Sequence, residues 1–198
     1  MKRKSIVFLT AIIFLLSGCF VVSFYPLYTP EDLFPNDLLL GEWLDEDSTI
    51  WKFKHKPIGK IEDGKVDSTT YILKIKEEKE TEFKDESLYV RLVKLENHYF
   101  LDFYLKDYGS DDGGIFDAHV IRVHSFAKLK MNDGQLSFSW LDPEWLSKLL
   151  EQNKIRIHHE KNDDQILLTA KPKELQKFMI KYVNSEEAFE DELILRQQ

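Results

Sequence analysis

The stretch SLYVRLVKLENHYFLDFYLKD, residues 87–107, carries the strongest structural signal in the sequence. One face of its second half carries four apolar residues, Tyr99, Leu101, Phe103 and Leu105. An apolar residue at every second position is typical of a β-strand with one buried face. The stretch therefore predicts two antiparallel strands, 87–96 and 98–107, which meet in a tight hairpin at Asn97.

Similar segments lie on both sides of this hairpin. The further predicted strands are 49–55, 70–77, 117–131, 134–140, 154–160, 165–170 and 192–197. Two helices are predicted at 142–153 and 171–184, where apolar residues recur at helical spacing and Asp142 and Pro143 form a start signal. The spacing of the strands is typical of an antiparallel meander, so we expect a mainly β fold in one domain, residues 39–198.

The start of this domain is similar to a known family. Gly41-Glu42-Trp43 follows TPEDLF (29–34), which reads as a helical turn. The pattern resembles the Gly-x-Trp motif that opens the first strand of lipocalins and related calycin barrels. In that family the tryptophan closes one end of the barrel, and an arginine near the C-terminus lies across its ring. Arg196 stands at the matching place in this sequence.

The resemblance implies a lipocalin-like barrel of roughly 8–10 strands, with Gly41, Trp43 and Arg196 as barrel-closure residues. The sequence lacks the Thr-Asp-Tyr turn of the family, and its two helices are additional to the family pattern. The alternative is a different β-barrel, or a β-sandwich with helices.

The N-terminus has the organisation of an export signal. Basic residues at 2–4 precede an apolar segment, 5–16, that is shorter than the ~20 residues of a membrane-spanning helix. Leu16-Ser17-Gly18-Cys19 resembles the lipobox of bacterial lipoproteins. It implies that residues 1–18 are a signal peptide cleaved between Gly18 and Cys19, and that Cys19 carries diacylglycerol and a further acyl chain such as palmitate. The alternatives are an uncleaved span over residues 5–24 and a plain signal peptide.

Residues 19–38 are predicted to be the lipidated N-terminus and tether, with Tyr25, Leu27 and Tyr28 packed on the domain. Phe20, not aspartate, follows the cysteine, and the sorting rule of such lipoproteins then implies the outer membrane. No acidic cluster follows directly, which favours a face toward the periplasm over the cell surface. The start YPLY…LLGEW is also similar to bacterial lipoproteins of unassigned activity, which implies location but no activity.

The composition limits the partners. The chain of 198 residues has a formal net charge of −8 and a single cysteine. An acidic chain is a poor partner for nucleic acid, so none is expected, and the membrane contact is expected to depend on the acyl anchor of Cys19. With one cysteine no internal disulfide is expected. The hydrophobic content of 43% argues against disorder.

Catalytic and metal-binding patterns are weak. His124 and His158 would need to meet across neighbouring strands to share a metal, and solvent-exposed histidines are the simpler interpretation. The aspartates of loop 107–117 could hold calcium, but their spacing does not match an EF-hand loop. No nucleophile elbow, phosphate loop or zinc-helix motif occurs. We therefore predict a non-enzyme with no catalytic residue, metal or cofactor.

The aromatic residues are the better functional signal. Six of them fall on alternating positions that we expect to face the barrel interior: Trp51, Phe53, Tyr99, Phe103, Phe138 and Trp140. They either fill the interior or line a cavity for one small apolar ligand. The leading prediction is an envelope lipoprotein that binds a small apolar ligand or lipid. The alternatives are an interaction or scaffold protein with a filled core and an exposed apolar patch on helix 171–184, and an enzyme with an unrecognised site.

Overall fold

The computed structural model describes residues 20–60, 64–83, 87–106, 119, 121–132, 134–162, 165–189 and 192–198. The predicted signal peptide, the lipidation site Cys19 and the acidic loop 107–117 lie outside these residues.

The described part of the chain forms eleven strands, two α-helices and two short 3-10 turns. The strands are β1 (Val22–Ser23), β2 (Gly41–Leu44), β3 (Thr49–Pro57), β4 (Val66–Glu77), β5 (Leu88–Leu95), β6 (His98–Leu105), β7 (His124–Asn132), β8 (Gln135–Trp140), β9 (His159–Asn162), β10 (Gln165–Leu168) and β11 (Leu193–Gln197). The helices are α1 (Pro143–Glu151) and α2 (Pro172–Tyr182), and the 3-10 turns are Pro30–Asp32 and Asp37–Leu39.

Eight strands close into an antiparallel barrel. Strands β2 to β8 pair in chain order, and β11 pairs with both β8 and β2, which closes the ring. Strands β1, β10 and β9 extend the sheet outward from β7, and β1 pairs with β10 in parallel. The prediction of a mainly β fold with a lipocalin-like barrel and two helices is confirmed.

The tight hairpin predicted at Asn97 is present. Leu95 is paired with His98, so the turn is Glu96 and Asn97, and Glu96 takes a positive φ of 53°. Two other strand predictions were too long. Among the described residues of the segment 117–131 the strand begins at His124, and in the segment 154–160 it begins at His159. Residues 155 and 157 are instead buried against the helices.

Two apolar cores lie on opposite faces of the barrel wall. The interior core receives buried side chains from all eight strands of the barrel, among them Phe53, Leu73, Leu92, Phe103 and Phe138. The outer core lies between strands β5–β7 and a layer made of the N-terminal segment, α1 and α2. Tyr25, Leu27 and Tyr28 pack in this outer core, and Leu27 is fully buried. The segment after residue 20 is therefore part of the folded body.

The two ends of the barrel differ. At the closed end, where β2 begins, the turn Asp37–Leu39 covers the interior, and Leu39 is fully buried. The indole of Trp43 donates to the carbonyl of Leu39 at 3.0 Å, which fixes this cover. The mouth end is the opposite end, where β3 and β5 begin and where β4, β6 and β8 finish.

Candidate functional site

Five of the six predicted aromatic residues meet near the mouth end, with Phe138 at their centre. Its ring centroid lies 6.1 Å from Trp51, 6.5 Å from Phe53 and 6.1 Å from Trp140. Trp140 also stacks on Phe103 at 6.1 Å. Rings at such distances attract one another in edge-to-face and offset geometry. The lower part of this cluster is therefore packed core, since Phe53, Phe103 and Phe138 are buried.

The upper part of the cluster is partly exposed. Five apolar side chains at the ends of five barrel strands pack on the interior core while part of each stays open to solvent: Trp51, Ile75, Leu88, Trp140 and Leu193. We call these five residues the mouth ring. Exposed apolar surface in one continuous patch is typical of a ligand or membrane contact, and a single exposed apolar residue is not.

Asp45 holds Trp51 in place in this ring. Its carboxylate accepts a hydrogen bond from the indole N–H of Trp51 at 3.0 Å. The other oxygen accepts from the backbone N–H groups of Asp47 and Thr49 at 2.9 and 2.8 Å. Only 9% of Asp45 is exposed, so the indole is oriented by a fixed carboxylate. The sequence patterns do not predict a role for Asp45.

The N-terminal segment reaches the same end of the barrel. The ring of Phe20 lies 5.7 Å from Trp140 in edge-to-face contact, and Phe20 is 57% exposed. Val22 is the cross-strand partner of Ser125, which is itself paired with the interior residue Phe103. Since directly paired residues face the same side of a sheet, Phe20 and Val22 extend the mouth wall beyond the end of β8.

Tyr99 does not join this cluster. Its ring lies at the closed end, 5.4 Å from Phe34, with the ammonium of Lys94 5.5 Å from its centroid. The six aromatic residues therefore face the interior as expected, but they belong to two different ends of the barrel. Within a strand, the alternation determines the face, while the register determines the height in the barrel.

The three predicted closure residues, Gly41, Trp43 and Arg196, do not lie together. Gly41 opens β2 with a φ of 120°, a conformation that favours glycine, and Trp43 is 2% exposed beneath the closed end. Arg196 pairs in register with Leu44, its side chain is exposed, and its guanidinium lies 3.5 Å from Glu46. It does not lie across Trp43. The reason is the alternation of β11, which turns Leu195 inward and Arg196 outward.

A buried polar cluster lies on the outer face of the barrel. Asp102 is 1% exposed, accepts from the backbone N–H of Leu27 at 2.8 Å, and lies 2.7 Å from Nδ1 of His124. Burial raises the pKa of Asp102, against the lowering effect of the hydrogen bond and charge of His124. The hydroxyl of Ser23, opposite His124 in β1, donates to the carbonyl of Tyr25. This cluster therefore attaches the N-terminal segment to the barrel and contains no arranged nucleophile.

His124 and His158 have separate partners. His124 contacts Asp102, while His158 lies 2.8 Å from Glu174 of α2. Within the described residues there is no group of three or more histidine, cysteine or carboxylate side chains that could hold a metal ion. In the same part of the chain, no helix has the length and apolar character needed to cross a membrane.

Comparison of the chain with protein-family models, with curated proteins and with solved structures gave no match.

Proposed function

We propose that this protein is a non-catalytic lipoprotein, anchored by Cys19 to the bacterial outer membrane on its periplasmic side, whose barrel binds an acyl chain or another small apolar ligand at its mouth. The mouth ring is the observation that carries the proposal. It is an apolar, partly exposed rim above a buried aromatic floor, with Trp51 oriented by Asp45. A rigid apolar wall with few polar groups is typical of pockets for apolar ligands.

The position of Phe20 supports the same proposal. Consecutive Cα atoms are about 3.8 Å apart, so a lipid on Cys19 would leave the chain next to the Phe20–Trp140 contact. An acyl chain of the membrane would then reach the mouth over a short distance. The ligand and the anchor are expected to have the same chemistry.

Titration of the purified full-length protein with a fluorescent fatty acid tests ligand binding. Trp140→Ala removes an aromatic wall at the mouth, and Tyr99→Ala is the matched control at the closed end. Loss of one well-buried aromatic contact corresponds to about 1.5 kcal/mol or more, so we expect binding about tenfold weaker for Trp140→Ala. Tyr99→Ala should bind within about twofold of the wild type. Equal affinities for all three proteins would show that the mouth is not the site.

The anchor is tested separately. Metabolic labelling with palmitate and fractionation of cells that produce Cys19→Ala should show loss of label and release from the membrane. The mass of the processed wild-type N-terminus distinguishes cleavage before Cys19 from an uncleaved span. Unchanged membrane attachment and processing of the variant would contradict the lipoprotein assignment, whatever the outcome of the fatty-acid titration.

A further inference from the structure

Helix α2 presents a row of lysines to solvent. Lys173, Lys177 and Lys181 are all exposed and lie four residues apart, which places them along one side of the helix. The opposite side, with Leu175, Phe178 and Met179, is buried in the outer core. The prediction of an exposed apolar patch on helix 171–184 is therefore wrong for the described residues of α2. The side of α2 that faces solvent carries cationic side chains.

These lysines line a concave surface. A groove of about 510 Å³ lies between α2 and the end of β5, and its walls include Lys94, Lys173, Lys177 and Lys181. A second groove of about 290 Å³ continues past the β5–β6 turn and is lined by Lys128 and Lys130. Glu96 lines the first groove and the adjacent Asn97 lines the second, so the two grooves follow each other along the turn. We call the combined surface the lysine groove.

The positive charge in this groove is only partly compensated. Two carboxylates, Asp32 and Glu96, line the first groove, and Asp32 lies 3.9 Å from Lys173. A third carboxylate, Glu192, pairs with Lys130 at 2.8 Å. Within the described residues, neither Lys177 nor Lys181 has a carboxylate at ion-pair distance. Burial and the charge of Lys130 lower the pKa of Lys128. A concave surface in which ammonium groups outnumber carboxylates, on a chain with a net charge of −8, concentrates anionic ligands.

We propose that the lysine groove is a docking surface for an extended acidic segment of a partner protein. Four residues of α-helix rise about 6 Å, so the three lysines of α2 form a row with that spacing. In an extended peptide, side chains on one face repeat every two residues, or about 6.6 Å. A segment with a carboxylate at every second position therefore matches the row. Lysine ammonium groups are point charges, and they pair with single carboxylates without the two-pronged geometry that arginine prefers.

The lysine groove would be the contact surface of an interaction or scaffold protein, which was the alternative function predicted from the sequence. This proposal does not depend on ligand binding at the mouth or on lipidation of Cys19. Its test is fluorescence anisotropy of two labelled peptides with the full-length protein. One peptide has glutamate at every second position with serine between. The other has the same composition with all glutamates in one block. We expect tighter binding of the alternating peptide, with an affinity that falls as salt screens the charges.

Lys177→Glu/Lys181→Glu should weaken binding of the alternating peptide at least about tenfold, and the lysine-to-glutamine pair should weaken it less. Lys60→Glu/Lys65→Glu, at exposed lysines of the β3–β4 turn, makes the same change of net charge and should leave binding within about twofold. Equal loss in both glutamate pairs, or equal affinity for both peptides, would overturn the proposal. So would binding of phosphatidylglycerol vesicles through Lys177 and Lys181 without binding of the peptide.

Discussion

We expect Asp102→Ala to loosen the N-terminal segment from the barrel and to destabilise the whole protein. The carboxylate of Asp102 is the acceptor for the N–H of Leu27, which is fully buried, and the partner of the His124 ring. Alanine removes both contacts, so the backbone N–H of Leu27 loses its acceptor and the ring of His124 loses its carboxylate partner. The segment from Val22 to Leu27 then keeps its apolar packing, its strand pairing and the hydrogen bond from Gln176 to the Leu27 carbonyl, but loses the buried acceptor of the Leu27 N–H.

The size of the effect follows from burial. A buried N–H without an acceptor costs about 1–3 kcal/mol, and removal of one partner from a buried polar pair costs about 3–5 kcal/mol in total. For a domain of this size, about 1 kcal/mol shifts the melting temperature by roughly 2–4 °C. We therefore expect Asp102→Ala to melt roughly 10 °C below the wild type.

Asp102→Asn is the matched control because its amide oxygen can still accept from Leu27. It should retain most of the stability that the alanine variant loses, as measured by urea denaturation and thermal melting monitored by circular dichroism. An alanine variant within about 1 kcal/mol of the wild type would refute the assigned role of the carboxylate.

The difference in stability between Asp102→Asn and the wild type should depend on pH. Burial holds the pKa of Asp102 above its ordinary value of 3.8, so the folded state binds this proton more tightly than the unfolded state. The proton-linked part of the Asp102 contribution to stability is therefore fully present below pH 3.8 and is lost as the pH rises through the folded pKa, while the hydrogen bond from Leu27 remains. The stability of Asp102→Asn relative to the wild type should increase over that rise, and a constant difference would contradict the assigned shift.

Three further variants test the closed end and its surroundings. Gly41→Ala should cost about 1–2 kcal/mol in urea denaturation because the φ of 120° is strained for alanine, and an unchanged midpoint would mean that the backbone relaxes. Arg196→Ala should stay within about 0.5 kcal/mol of the wild type, since the exposed guanidinium only approaches Glu46, and a larger loss would indicate packing on Trp43. Burial alone would raise the pKa of Asp32, but hydrogen bonds from Thr29 and Gln176 hold this pKa below its ordinary value of 3.8. The stabilising contribution of Asp32 is therefore present above pH 3.8 and is lost as the pH falls through the folded pKa. Melting temperatures of Asp32→Asn should therefore decline less steeply in acid than those of the wild type, and parallel curves would speak against the shift.

The alternation of residues predicted much of the barrel. A period of two can be read from a single strand, so the inward faces of Trp51, Phe103 and Phe138 were correct. Arg196 was misplaced because the resemblance supplied its position along the chain but not its face. The inward direction of Leu193 and Leu195 in the same strand was the available signal, and the alternation then turns Ile194 and Arg196 outward.

The contacts between strands could not be predicted in this way. Asp102 is the only carboxylate in HYFLDFYL and stands between two apolar residues, which is a visible signal of a special position. Its partners are more difficult to find, because the contacts with His124 and Leu27 depend on the register of β6 with β7 and on the path of the N-terminal segment. The lysine row of α2 is visible in the sequence, but the groove exists only because the helix lies beside the β5–β6 turn.

The sequence by itself determined most of the elements: the period of two specified most strands of the barrel and their buried faces, and the period of 3.6 specified the two helices. It also carried the lipobox-like LSGC, a local pattern that needs no fold to be recognised. Only the tertiary structure decided which residues meet. In the closed barrel, Trp51 and Trp140 lie at the mouth and Tyr99 lies at the closed end. The height of a residue in a barrel depends on strand register, and register is set by many strand pairings together.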